Sequence, residues 1–157
     1  MESAEGAHSS SDIMTCLSLR QPWLELILNG QKTIEVRTWR SRYRGPLLLH
    51  ASRSIDWDAC VHFGIRPDSL ATGALLGSVE LVDCVTFTRD TWQSLAPAHL
   101  NYRDFRPGLI GWFFRDPQRL EPTPFRGQLG LFKVPGALLI STGQSPSFVA
   151  RRRLSPC

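Results

Sequence analysis

Residues 16–39 read CLSLRQPWLELILNGQKTIEVRTW and hold the densest set of structural signals in this chain of 157 residues. A short strand is predicted over residues 15–19, and Pro22 then suits the first turn of a helix, where no backbone N–H donor is needed. Gly30 ends that helix, because glycine accepts the left-handed conformation at a helix C-terminus. The β-branched and aromatic residues that follow predict a second strand over residues 33–39.

The turn and second strand carry a compact polar cluster of Lys32, Thr33, Glu35 and Arg37. In an extended strand Glu35 and Arg37 leave the same face. A cation, a hydroxyl and a carboxylate grouped in this way are typical of a pocket for a polar, anionic ligand. Lys32 can meet a phosphate as a point charge or, if burial removes its proton, act as a base. The alternatives are a surface lysine and a simple ion pair, which adds little stability.

The length predicts one domain, since domains commonly have about 100–150 residues. Small polar residues at 1–13 predict a disordered leader, and residues 139–157, with three arginines at 151–153, predict a flexible basic tail. The folded body is therefore expected over residues 14–138. No apolar run approaches the roughly 20 residues that cross a bilayer, and the N-terminus does not resemble a signal peptide. We expect a cytoplasmic protein that contacts no membrane.

The charge balance favours an anionic partner. The chain has 18 Lys and Arg against 14 Asp and Glu, which gives a net charge of +4. Nearly all of the cations are arginine, which suits phosphate recognition, although high genomic GC content would have the same effect. The four cysteines lie far apart and form no CxxC pair, so neither a metal site nor a cofactor is predicted.

Strands dominate the rest of the chain. Further strands are predicted over residues 47–51, 74–87, 109–114 and 129–134, and helices over residues 56–63 and 90–99, the second of them interrupted by Pro97. Ser54 is a candidate cap for the first of these helices, Gly77 marks a bend or bulge, and a loop rich in proline follows residue 114. Few strands are followed by a helix, which argues against a doubly wound sheet. The pattern predicts a small, mixed, mainly antiparallel β-barrel with two or three short helices.

Several motifs occur in the order found in a known family. They are Gln21-Pro22-Trp23, Gly30-x-Lys32-Thr33, Glu35-x-Arg37-x-Trp39, LLGSVELVDC at residues 75–84 and GWFF at residues 111–114. Over most of residues 15–135 the chain resembles the ASCH (activating signal cointegrator homology) domain, and its cointegrator-type branch most closely. The resemblance implies a PUA-like β-barrel that binds nucleic acid, mainly RNA, or a nucleotide, in a cleft between barrel and helix.

The motifs and the resemblance together predict which residues form a binding surface. Arg40, Arg42 and Arg44 would point to one side of an extended segment and follow a phosphate backbone. Tyr43 and Trp39 would add stacking platforms; the alternative is a solvated loop. The full set of expected contacts is Ser18, Arg20, Gln21, Trp23, Lys32, Thr33, Glu35, Arg37, Trp39, Arg40, Arg42, Tyr43, Arg44 and Arg53. The expected partner is RNA, with DNA possible, and the protein is expected to be a monomer.

Catalysis is the open question. Some small members of the ASCH family resemble amidohydrolases acting on N4-acetylcytidine, and others are described as nucleases. The resemblance therefore implies an alternative function, an amidohydrolase or a ribonuclease, with Lys32, Glu35 and Glu80 as its catalytic residues. Glu80 would need a cationic partner such as Lys32 or Arg37; a solvent-facing position is the other interpretation. The amidohydrolases also use a glutamate from a later helix, and residues 89–100 contain none. The sequence therefore favours a binding domain, with a protein-interaction module as a third possibility.

Overall fold

The computed structural model describes residues 12–141, and within them six β-strands form one sheet. The strands are β1 (Ile13–Gln21), β2 (Ile34–Arg37), β3 (Gly45–Ile55), β4 (Ala74–Thr86), β5 (Ile110–Pro124) and β6 (Leu131–Pro135). Their order across the sheet is β2-β5-β4-β3-β1-β6. The pair β1 and β3 is parallel, and the other neighbouring pairs are antiparallel. The predicted mixed, mainly antiparallel architecture is confirmed.

Short helices connect these strands. They are α1 (Trp23–Leu28), α2 (Trp57–Phe63), α3 (Arg89–Ser94), α4 (Ala96–His99) and α5 (Gly136–Ser141), with a 3-10 turn over Pro67–Ser69. The described chain thus has five helices rather than two or three, because the segment predicted over residues 90–99 divides into α3 and α4, at Leu95 and not at Pro97, and because the sequence does not predict α5. The described residues extend past the predicted bounds of 14 and 138, while residues 1–11 and 142–157 lie outside them.

Two local predictions are wrong. The cap of α2 is Asp56 and not Ser54, because the helix begins one residue later than expected and the Asp56 carboxylate accepts from the Ala59 backbone N–H at 3.1 Å. The proline-rich stretch is not a loop but the second half of β5. Strand β2 pairs with β5 only as far as Phe113, and one further bond joins Phe114 to Thr33. Beyond that point this edge of β5 has no partner strand among the described residues, and proline there does not break a hydrogen bond.

The main core lies between α1 and the curved sheet. Leu24 and Ile27 of α1 pack with Leu17 of β1 and with Trp112 of β5, all of them buried. Helix α1 packs tightly on the sheet at Gly77, where a Cβ would lie 2.5 Å from a Leu28 methyl carbon and 2.5 Å from a backbone carbonyl of β5. The pairing register with β5 also shifts at Gly77, as the predicted irregularity required. This packing fixes the C-terminus of α1 and the turn that follows it.

Candidate nucleic-acid site

Lys32 is buried at the turn between α1 and β2, with an exposed fraction of 2%. Its backbone N–H donates to Leu26 at 3.0 Å, which closes the turn after Gly30. The ammonium donates to the backbone carbonyl of His99 at 2.5 Å and lies 4.8 Å from the centroid of the Trp23 ring. The cation is thus held between the end of α4 and an aromatic face, where little water reaches it.

Glu35 joins Lys32 to Arg37. One carboxylate oxygen lies 3.6 Å from the Lys32 ammonium, and the other accepts from Arg37 at 3.2 Å. Burial lowers the pKa of Lys32, and the charge of Glu35 opposes that effect. The three charged side chains of the predicted cluster therefore meet in one place.

A second carboxylate, that of Asp56, faces the same space from the start of α2. It accepts from the Trp23 indole N–H at 3.0 Å, and its two oxygens lie 3.3 and 3.2 Å from the Arg103 guanidinium. Burial by itself raises the pKa of Asp56, but the hydrogen bonds from Trp23 and Ala59 and the charge of Arg103 outweigh it, so the pKa lies below its usual value. Asp56 is thus an ionised carboxylate whose charge is already matched.

His99 orders the segment that receives the Lys32 ammonium. Its Nε2 donates to the Trp92 carbonyl at 2.8 Å, and its Nδ1 accepts from the Asn101 backbone N–H at 3.0 Å. This arrangement needs the neutral ring. Burial lowers the pKa of His99, and the nearby charge of Lys32 lowers it further. The ring therefore supports the wall of the site rather than acting as an acid.

These side chains surround a cavity of about 330 Å³, hereafter the Lys32 cavity. Its walls are Arg20, Trp23, Lys32, Glu35, Val36, Arg37, Thr38, Asp56, Asn101, Arg103, Arg106 and Leu109. Five cationic side chains and two carboxylates thus face one hollow. Its volume lies within the range of ligand pockets, about 300–1,000 Å³.

A protein-family model described as the ASCH domain matches residues 17–124. The chain belongs to the ASCH domain family. This ASCH domain is 31% identical over 83 residues to activating signal cointegrator 1 of Mus musculus and to that of Homo sapiens. The match covers 45% of this chain and only 14% of each of those longer relatives.

Solved structures show the same fold for this ASCH domain. The crystal structure of ASCH from Zymomonas mobilis superimposes with a TM-score of 0.61 at 15% identity and covers 84% of this chain and 96% of that chain. A mutant of the Zymomonas protein matches with a TM-score of 0.59 at 17% identity, covering 84% of this chain and 99% of that chain. The likeness confirms the PUA-like fold, and at these identities it concerns the fold alone.

The structure brings part of the predicted ASCH binding set into the Lys32 cavity, namely Arg20, Trp23, Lys32, Glu35 and Arg37. Ser18 and Arg53 line a different cavity. Gln21 is fully buried and bonds the backbone of Ala71 at 3.0 Å, so it belongs to the framework. Thr33 is exposed, and its backbone pairs with Ala98 and Phe114.

The segment after β2 stands apart from the cavity. Arg40 donates to the Cys84 carbonyl at 3.0 Å, and Arg44 lies 3.4 Å from the Asp83 carboxylate, so both contact the end of β4. Arg42 is exposed between them. Tyr43 donates to the Pro46 carbonyl, and Trp39 packs edge-to-face on Trp112 with ring centroids 4.7 Å apart. Both aromatic rings are partly buried against the core rather than free platforms.

Glu80 is not the second carboxylate of the cleft. It lies in β4 between its neighbours Pro46 of β3 and Arg115 of β5, and the flanking residues Val79 and Leu81 point into the core. Because side chains alternate along a strand, Glu80 faces away from that core and does not reach Lys32. Asp56 occupies the expected position instead.

Sequence reasoning missed seven wall residues, and four of them carry charged or amide side chains, namely Asp56, Asn101, Arg103 and Arg106. Asp56 had one usable signal, its place directly before a helix, where a carboxylate commonly caps the first turn. The others lie in the irregular segment between α4 and β5, which has no periodic pattern.

Within the described residues no group of three or more His, Cys, Asp or Glu side chains is placed to hold a metal ion, and no helix there is long and apolar enough to span a membrane.

Proposed function

We propose that this ASCH domain binds nucleic acid, RNA in preference, and holds one nucleotide in the Lys32 cavity. The supporting observation is that the cavity has more cationic side chains than carboxylates to pair with them. Both carboxylates of the cavity are matched within it, Glu35 by Lys32 and Arg37, and Asp56 by Arg103. Neither remaining guanidinium pairs with a carboxylate anywhere in residues 12–141; these two are Arg20 and Arg106.

A phosphate supplies what the cavity lacks. Arg20 is exposed and donates to the Ile55 carbonyl at 3.2 Å, and no carboxylate of the described residues compensates its charge. Arg106 is exposed on the opposite segment. A guanidinium binds phosphate oxygens through a planar pair of N–H groups, so these two arginines are suited to the backbone of a strand whose base enters the cavity. Glu35 then offers carboxylate oxygens to exocyclic amino groups of that base.

The binding test compares paired variants by fluorescence anisotropy with a labelled single-stranded RNA. Arg20→Gln with Arg106→Gln removes both free cations, whereas Arg66→Gln with Arg89→Gln makes the same charge change outside the cavity. Loss of two phosphate contacts should reduce the slope of log affinity against log salt by about 1.4. Equal affinities and slopes for the two double variants would contradict the proposal. No affinity for any nucleic acid at low salt would favour a protein-interaction module instead.

The arginine row of residues 40, 42 and 44 forms a second arm of the same test. If the row follows the phosphate backbone as predicted, changing all three to Gln weakens binding to every sequence alike. Unchanged affinity, or a loss confined to particular sequences, would contradict that role.

Hydrolysis is the second candidate, because desolvation lowers the pKa of Lys32 toward that of a usable base. The carboxylates of the cavity argue against it: Asp56 has a lowered pKa, and Glu35 is bound to two cations. A water-activating carboxylate should be free to accept a proton. Incubation with N4-acetylcytidine and with end-labelled RNA, followed by product analysis, decides the matter. Turnover that disappears in Lys32→Ala would establish an enzyme.

A further inference from the structure

A second cavity, of about 800 Å³, lies between the adjacent strands β1 and β3 and the segment that follows β5. Ser18 and His50 form one side of it, Arg53 a second side, and Arg126 and Gly127 a third. The approach of the last segment requires glycine, because a Cβ at Gly127 would lie 2.5 Å from Ser18 Oγ and 2.6 Å from a His50 ring carbon. We call this space the Ser18 cavity.

The hydrogen bonds of His50 fix what Ser18 presents to the cavity. The carbonyl of Phe125 can only accept, so His50 Nε2, at 2.6 Å, carries the proton. Burial lowers the pKa of His50 and keeps the ring neutral. His50 Nδ1 is then an acceptor, and the Ser18 hydroxyl donates to it at 2.8 Å. The proton of Ser18 is therefore committed to His50, and the oxygen of Ser18 can only accept from a ligand.

The charged side chains of the Ser18 cavity are complementary to an anion. Arg53 and Arg126 are its charged side chains, and among the described residues that line it none is acidic. Neither arginine pairs with a carboxylate in the described part of the chain. The cavity thus combines two free guanidinium groups with a hydroxyl that acts as an acceptor. A sugar-phosphate has the complementary groups, since its phosphate accepts and its free hydroxyl donates.

The two cavities are neighbours along β1. Ser18 lines one of them and Arg20 the other, and residues two apart on a strand are separated by about 7 Å. Resting on the function proposed above, we infer that the Ser18 cavity receives the ribose-phosphate next to the nucleotide in the Lys32 cavity. Arg53 and Arg126 bind its phosphate, and Ser18 Oγ accepts a hydrogen bond from its 2′-hydroxyl. The ligand is then RNA, because DNA lacks the donor.

The experiment uses RNA, DNA and 2′-O-methyl RNA of one sequence built from adenine and cytosine only, so that the sugar alone differs. The wild type should prefer RNA over both others by about 2- to 12-fold, the range expected for one net hydrogen bond. Ser18→Ala should bind all three nucleic acids with the affinity that the wild type has for DNA and for 2′-O-methyl RNA. Ser52→Ala, a matched change in the same cavity, should keep the preference. A wild type without preference, or a preference that survives in Ser18→Ala, would overturn the assignment of Ser18.

Arg53→Gln and Arg126→Gln keep the inference testable if Ser18→Ala unfolds, since both changes are at solvent-facing side chains. Each should lower the salt slope for RNA by about 0.7. Slopes identical to the wild type would overturn the phosphate assignment. If Arg20→Gln with Arg106→Gln still reduces the salt slope in that case, the proposal for the Lys32 cavity holds and the proposal for the Ser18 cavity is wrong. If no nucleic acid binds the wild type, the proposed function fails first.

Discussion

Lys32 is the residue whose placement makes least sense for stability alone. A buried ammonium loses its hydration, and an ion pair often fails to compensate for that loss. Here the compensation comes from Glu35 at 3.6 Å, from the carbonyl of His99 and from the face of Trp23. A hydrophobic side chain of the same length would fill the site at lower cost. A buried cation that is costly and well positioned is typical of a binding or catalytic position.

Changing Lys32 to Met should remove a characteristic pH dependence of stability. Burial lowers the pKa of Lys32 from 10.5, so at alkaline pH the native state releases its proton before the unfolded chain does. Unfolding then takes up a proton, and raising the pH toward 10.5 stabilises the wild type. Between pH 7 and pH 10, the melting temperature of the wild type should rise relative to that of Lys32→Met.

The chain provides a control for this measurement, because its other lysine, Lys133, is exposed on β6. Lys133→Met should follow the wild-type profile over the same pH range. Parallel profiles for the wild type and Lys32→Met would show that the ammonium has the same pKa in both states, contrary to the burial argument.

At the scale of elements, the sequence predicted the local part of the site and not its assembly. The α1 helix, the Gly30 turn and the Glu35–Arg37 strand are encoded by neighbouring residues, and all three form as expected. The far wall depends on which elements the sheet brings together. Arg103 reaches Asp56 from a segment 47 residues away, and no local pattern encodes that distance. The proline-rich half of β5 was missed for the same reason, since only the short pairing with β2 shows that the rest of that edge has no partner strand among the described residues.

Substitutions of Asp56 measure how much this one carboxylate, at the start of α2, contributes to the stability of both the fold and the site. Asp56→Ala removes the helix cap, the bond from Trp23 and the contacts with Arg103. The free energy of unfolding, measured by urea denaturation, should fall by about 2–4 kcal/mol. Asp56→Asn can still cap the helix and should lose less. The nearby Asp58→Ala, an exposed change in the same helical turn, should lose less than about 1 kcal/mol. Equal losses at positions 56 and 58 would contradict the role given to Asp56.

Across the whole molecule, each of the two cavities is backed by a buried neutral histidine. His50 joins β3 to the segment that closes the Ser18 cavity, and His99 orders the segment that holds Lys32. Both rings are nearly inaccessible, with exposed fractions of 2% and 0%. The rigidity of both binding surfaces therefore depends on rings that must stay uncharged.

This dependence predicts acid sensitivity near neutral pH. Burial lowers the pKa of both His50 and His99 from 6.5, so as the pH falls the unfolded chain binds protons before the native state does. The stability is complete above about pH 6.5 and declines as the pH falls through the lowered pKa values. The melting temperature should drop between pH 7.5 and pH 5, and the drop should shrink in His50→Gln with His99→Gln, whose amide groups can donate and accept without titrating. A drop of the same size in that double variant would mean that other titratable groups control the loss of stability in acid. The neutral histidine rings would then not be what makes the stability of the fold sensitive to pH.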